Sequence, residues 1–162
     1  MIGRLRFGLA VAVIVAAVDQ LAKWAIVTMV RPQGHIPVLP FLDFVLAWNR
    51  GVSFGVGNNQ GPYNALLFTL LSLVISAVLV AWMAKAGSRV ALLGLGLVVG
   101  GAVGNAADRL HYGAVVDFLY VHAGSFTWWP AMNLADWAIS VGAAFLVFDS
   151  LFGNRDSHKN TP

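Results

Sequence analysis

Asp117 and Asp136 are the two side chains in this sequence best placed to do chemistry. Asp117 lies in VVDF, just past an apolar stretch that ends GGAVGNAADR, and Asp136 lies in MNLAD, at the mouth of the next apolar stretch. An ionisable group at the rim of a bilayer is costly to keep there, so a pair of them calls for an explanation. If the two meet, they cannot both ionise easily and must share a proton. One can then act as base on a water while the other, protonated, polarises a carbonyl. A proton or ion relay is the other use of such a pair. Each residue alone has a plainer reading. Asp117 could be a loop carboxylate held by backbone amides, and Asn133 with Asp136 has the N-cap and N3 spacing of a helix start.

The rest of the composition makes any buried carboxylate conspicuous. Of 162 residues, 59% are hydrophobic and only 10% charged, with a mean hydropathy of +0.75. Soluble domains carry about a quarter charged residues, so this chain is built for lipid. There is no Cys, which excludes disulfides, thiolate nucleophiles and Cys-based metal sites. All seven acidic residues are Asp: 19, 43, 108, 117, 136, 149 and 156. The net charge of +3 does not point to nucleic acid, because the basic residues flank apolar segments instead of forming a patch.

Those segments must position the pair. Four apolar runs approach the ~20 residues of a spanning helix, at about 7–30, 63–84, 90–109 and 134–153. The fold expected is therefore an all-α membrane protein, one integral membrane domain over 1–162, with longer loops at 31–61 and 110–133. The first run opens like a secretory signal, with Arg4 and Arg6 before FGLAVAVIVAAV. It continues through LAKWAIVTMV and three further spans follow, which favours a retained first helix. Arg4, Arg6, Lys85, Arg89, Arg155 and Lys159, six of ten basic residues, fall on one side. By the positive-inside rule that side is cytoplasmic, so both termini are expected there. Arg31 and Arg50 oppose the count but are outnumbered. Asp117 and Asp136 then approach the membrane from the same, outer face.

The outer loops are not plain linkers. HIPVLPFLDFVLAWN reads as extended chain, with Pro37 and Pro40 excluding helix and aromatic or β-branched residues favouring strand. Val115–His122 and Phe126–Trp129 have the same character, which predicts a small antiparallel sheet outside the membrane. Trp48, Phe54, Trp128 and Trp129 are expected at the headgroup level. The tail GNRDSHKNTP is polar and expected to be without fixed structure.

Further polar groups accompany the pair. Asp19 and Lys23 are one helical turn apart in DQLAK and read as a structural ion pair within the first span. NRGVSF supplies Asn49, Arg50 and the permissive Gly51, and reads equally as a turn. Gly96, Gly100 and Gly104 lie four apart, a small-xxx-small face that lets helices approach closely in lipid. Asn105, Asp108 and Arg109 carry polarity into the outer end of that helix, where an Asp108–Arg109 capping pair is the plain reading. A second role, holding the loop that bears Asp117, suits the same residues. His35, His111, His122 and His158 show no metal-ligand spacing, and no GxSxG supports a serine nucleophile. No metal and no cofactor is therefore expected.

Taken in order, DQLAK, NRGVSF, GGAVGNAADR, VVDF and MNLAD resemble the five sequence boxes of the bacterial lipoprotein signal peptidases (signal peptidase II). The resemblance runs from the first span to the last. It implies an aspartyl endopeptidase of the bacterial inner membrane, with four transmembrane helices and a periplasmic β-cradle. The implied substrate is a diacylglyceryl-modified prolipoprotein, cut before the lipidated Cys, with membrane lipid as the other partner and the enzyme acting as a monomer. The implied catalytic pair is Asp117 and Asp136, supported by Asp19, Lys23, Asn49, Gly51, Asn105, Asp108, Arg109 and Asn133. Arg50 stands where Thr is common, Ser53 where Ala is usual, and Met132 where Phe is usual. Two other classes remain to be weighed at this point, a small proton-coupled transporter and a non-catalytic assembly protein packed through the glycine face.

Overall fold

The computed structural model describes residues 2–30, 34–51, 63–124, 126–127 and 130–153. Four helices dominate: α1 (Ile2–Val30), α2 (Asn64–Met83), α3 (Arg89–Tyr112) and α4 (Leu134–Phe152). All four are long and apolar enough to cross a membrane. Twenty residues at 1.5 Å each reach ~30 Å, the thickness of the hydrocarbon core. Leu66, Leu67, Leu70, Leu71, Val74 and Val78 of α2 are all exposed. In water such a face would drive aggregation; in lipid it is simply the outer surface.

α3 is the hub. It packs against each of the other three helices, which touch one another far less. Two glycine faces make this possible. A Cβ built on Gly96 or Gly100 would lie 2.7 Å from Gly8 O or 2.6 Å from Ala12 O of α1. On the other side, a Cβ on Gly94 or Gly101 would lie 2.8 Å from Gly142 O or 2.5 Å from Ala135 O of α4. The expected face of Gly96, Gly100 and Gly104 meets α1, and the second face, toward α4, is an addition. Backbones this close gain van der Waals contact where lipid supplies no hydrophobic drive.

Helix ends follow local chemistry. Ser88 caps α3 by accepting from Val90 N and Ala91 N, and Gly113 (φ +71°) ends it in the left-handed conformation. α3 thus runs to Tyr112, past the expected end at 109 and into what was expected to be loop. α1 likewise starts at Ile2, before the apolar run, so that Arg4 and Arg6 belong to its first two turns. Asn133 and Asp136 form a reciprocal capping box at the start of α4, as their spacing predicts.

The extended segments form β1 (His35–Leu39), β2 (Leu42–Asn49), β3 (Val115–Ala123) and β4 (Phe126–Thr127), in antiparallel order β1-β2-β3-β4. Pro37 sits on β1, which among the described residues is an edge strand paired with β2, where its missing N–H is tolerated. In β2–β3, Ala47 faces Asp117 and Asn49 faces Val115. Phe118, Ile26 and Val30 form a buried cluster beneath the sheet, and Phe44 meets Phe118 edge-to-face at 6.1 Å. Met132 is stitched to β3 by Phe118 N and Leu119 N donating to its carbonyl and by its own N–H donating to Leu119 O. That stitch delivers Asn133 and the start of α4 to the strand bearing Asp117. Trp48 packs edge-on against Tyr112 at 5.3 Å. Ser53, Phe54, Trp128 and Trp129 lie outside the described residues, as does the tail from Asn154.

Candidate active site

Lys23 of α1 is the electrostatic centre of a fully buried cluster. Its ammonium lies 2.8 Å from Asp19 Oδ2 and 2.8 Å from Asp108 Oδ2, and it donates to Asn105 Oδ1 at 2.9 Å. One cation between two carboxylates leaves a net negative charge, which backbone donors must offset in a dry interior. Asp19 Oδ1 accepts from Ala135 N at 2.9 Å, and Asp108 Oδ2 accepts from Val116 N at 3.0 Å. Those two amides belong to the residues immediately before Asp136 and Asp117. The cluster therefore grips the backbone one residue ahead of each member of the pair. Gln20 completes it, donating to Asp108 Oδ1 at 2.8 Å and Gly104 O at 3.1 Å.

The carboxylates themselves are held by asparagines. Asp117 sits on β3, not in a loop, and its partners are side-chain amides, not backbone. Asn133 Nδ2 donates to Asp117 Oδ1 at 2.6 Å, and Asn49 Nδ2 donates to Oδ2 at 3.0 Å. Asp136 accepts from Asn105 Nδ2 at 3.0 Å and from Asn133 N at 3.3 Å. Asn133 touches both carboxylates and is completely buried, so it ties them into one unit. Burial, with the Asp136 charge behind it, pushes the Asp117 carboxyl up from 3.8 to about 6. The Asn49 and Asn133 donors and the Lys23 charge pull the other way and limit the rise.

Arg109 orders the remaining edge. Its guanidinium donates to Gly51 O at 2.9 Å and Asn105 O at 3.3 Å, and lies 5.5 Å from the centre of the Phe68 ring. Gly51 N in turn donates to Asn49 Oδ1 at 3.0 Å, which orients the Asn49 amide toward Asp117. The expected Asp108–Arg109 capping pair does not form. Adjacent helical residues point in different directions, and Asp108 turns inward to Lys23 while Arg109 turns to Gly51.

A cavity of about 330 Å³ opens beside this network, and its polar lining is made by Asn49, Ser72, Asn105, Arg109, Asp136 and Ser140. Its apolar side is made by α2, α3 and α4. Ten residues were singled out from the sequence, and all ten fall in this one connected network: Asp19, Lys23, Asn49, Gly51, Asn105, Asp108, Arg109, Asp117, Asn133 and Asp136. Gln20, Phe68, Ser72 and Ser140 were not foreseen. Gln20 had a signal, being an amide inside an apolar span next to Asp19; the other three had none. Among the described residues no three His or Asp side chains converge as ligands for a metal ion.

Four helices long and apolar enough to cross a membrane, a small antiparallel sheet and a buried carboxylate pair beside an open cleft define a polytopic membrane protein with its polar site at one end of the bundle. Residues 11–152 match the family described as signal peptidase (SPase) II. A lipoprotein signal peptidase of Rhodopseudomonas palustris is 44% identical over 153 residues, covering 91% of this chain and 93% of the relative. One from Methylobacterium sp. is 42% identical over 147 residues, covering 90% and 88%. A solved structure described as a bacterial membrane enzyme at 1.9 Å superimposes with a TM-score of 0.77 at 25% identity, covering 91% of this chain and 94% of its own. Another, at 2.3 Å, gives 0.78 at 24% identity over 96% and 93%, and shares the fold. The chain belongs to the signal peptidase II family, the membrane peptidases that process prolipoproteins.

Proposed function

We propose that this chain is an intramembrane aspartyl endopeptidase that removes the signal peptide of diacylglyceryl-modified prolipoproteins by cutting before the lipidated Cys. The observation that carries the reading is the joining of Asp117 and Asp136 through Asn133, with Asp136 on the wall of an open cavity. In this mechanism the pair holds one proton. The ionised carboxylate takes a proton from a water as its oxygen attacks the scissile carbonyl, while the protonated one donates to the carbonyl oxygen. Collapse of the tetrahedral intermediate breaks the C–N bond, and the proton first taken from water passes to the departing amine. A carboxyl pushed up to about 6 is suited to give and take protons near neutrality.

Asn49, Asn105 and Asn133 orient the pair, Arg109 and Gly51 fix Asn49, and the Asp19–Lys23–Asp108 cluster sets the backbone before each carboxylate. Acyl chains of the substrate would lie along the apolar side of the cavity, contributing about 0.8 kcal/mol per buried CH₂. An edge of the outer sheet would clamp the extended peptide. Basic residues at the opposite end of the bundle support an inner-membrane orientation with both termini cytoplasmic and the site near the periplasmic face. One chain supplies both carboxylates, so a monomer suffices, with no cofactor and no nucleic acid.

The test is a gel-mobility assay of prolipoprotein processing in lipid-detergent micelles. Asp117→Asn and Asp136→Asn should each slow cleavage by roughly 10²–10⁴-fold. Asp149→Asn, thirteen residues or ~20 Å further along α4, should cleave like the native enzyme. Native-rate cleavage by either of the first two removes the catalytic assignment.

A further inference from the structure

At the end of the bundle away from the carboxylate pair, a second recess of about 510 Å³ separates α1 from the start of α3. Arg4 and Arg89 line its mouth, Phe7 and Leu92 its wall, and Gly3 and Gly87 leave it open, with nothing within 4 Å of an added Cβ at either. Among the described residues neither arginine has an ion-pair or hydrogen-bond partner. The amino-terminal turns of α1 and α3 both begin here, with Ser88 as the α3 cap. Two guanidinium groups at one mouth, above an apolar wall, at the level where helix ends leave the hydrocarbon, match a ligand with an anion above acyl chains. The helix amino termini add partial positive charge to the same point. Arg6 and Lys85 are exposed near this end but do not line the recess, and Asp149, the described acidic residue toward this end of α4, does not line it either.

We infer that this recess is a binding site for an anionic glycerophospholipid, its phosphodiester bridged by Arg4 and Arg89 and one acyl chain laid against Phe7. The site is separate from the peptidase chemistry and does not depend on how the carboxylate pair works. It makes the enzyme a reader of lipid composition in the leaflet opposite its substrate.

Native mass spectrometry of the full chain in detergent tests this, with phosphatidylglycerol and phosphatidylcholine of identical acyl chains and with inorganic phosphate as separate probes. Binding of phosphatidylglycerol should exceed that of phosphatidylcholine by roughly tenfold or more, from two cations each favouring the anion. Arg4→Gln/Arg89→Gln should abolish that preference, Arg4→Lys/Arg89→Lys should keep part of it, and Arg6→Gln/Lys85→Gln, equal in charge lost, should keep it whole. Arg89→Gln alone should lose about half of the logarithmic preference, which serves where the double variant does not fold; retained peptidase activity in phosphatidylcholine reports folding. Equal binding of the two lipids by the native chain overturns the site. So does an equal loss in both double variants, which would mean diffuse surface charge, or displacement of the lipid by equimolar inorganic phosphate, which would mean a free-anion site.

Discussion

Asn133 is the residue on which structural and chemical roles can be pulled apart. Its Oδ1 caps α4 by accepting from Asp136 N at 2.9 Å, while its Nδ2 donates to Asp117 Oδ1 at 2.6 Å. Asn133→Ala removes both; Asn133→Ser keeps an N-cap acceptor but is too short to reach Asp117. The two variants should therefore differ in stability by about 1 kcal/mol, the usual worth of a cap. They should share one catalytic defect. A hydrogen bond to an ionised group is worth about 1.5–3 kcal/mol, and that bond favours the charged carboxylate, so losing it makes the pair easier to protonate. The acid limb of the kcat/KM profile should move up by about 1–2 pH units. Cleavage should fall about 10–100-fold on the acid side of the native limb and recover toward alkaline pH. The assay is prolipoprotein cleavage across pH 5–9 (roughly the span of the shifted limb), with reversible unfolding in mixed micelles alongside. An acid limb that stays in place in Asn133→Ser refutes the idea that this amide holds the charged form of the pair.

Lys23→Met should destabilise the fold by about 3–5 kcal/mol, because it strands two buried carboxylates; unfolding in mixed micelles measures this, and a loss under 1 kcal/mol (about the value of a surface pair) would contradict the cluster. Asp117 also predicts a pH slope in stability. Its carboxyl is harder to ionise folded than unfolded, so its contribution is full below about 4 and is lost as pH rises to about 6, near 3 kcal/mol in all. Asp117→Asn, which cannot ionise, should lose that part of the slope. Gly101→Ala should destabilise by about 1–3 kcal/mol and slow cleavage, since its Cβ would meet Ala135 O at 2.5 Å, whereas Gly87→Ala, with open space around it, should do neither.

Much of this was legible in the sequence for reasons of scale. A spanning helix needs a long apolar run and a capping box needs only four residues, so α2, α4 and the Asn133–Asp136 box follow from short stretches of chain. The strand character of His35–Asn49 and of Val115–His122 was equally local. What escaped depends on direction or distance. Asp108 and Arg109 are neighbours in sequence, and only the packing of α3 against α1 decides that one faces Lys23 and the other Gly51. The second glycine face of α3 was hidden because Gly94 and Gly101 are seven apart and their partners, Gly142 and Ala135, lie on another helix. The extra turns of α1 and α3 are polar extensions that hydropathy does not count.

The pairing of two carboxylates from separate elements raises a problem that the asparagines alone do not solve. A side chain aimed to within a few tenths of an ångström is useless if the backbone beneath it drifts. Here both backbones hang from one point. Asp19 holds the amide of Ala135 and Asp108 holds the amide of Val116, and both carboxylates answer to Lys23. The distance between Asp117 and Asp136 is thus set by an ion cluster between α1 and α3, the two helices that Gly96 and Gly100 bring to backbone contact. Gly104 belongs to the same device, since a Cβ there would sit 2.7 Å from Asp19 Oδ2 and push that carboxylate off its amide. The glycine face and the polar boxes, which look unrelated in the sequence, are two parts of one positioning mechanism. Close helix packing supplies the dry, rigid surroundings in which one buried lysine can fix two strands of backbone at once.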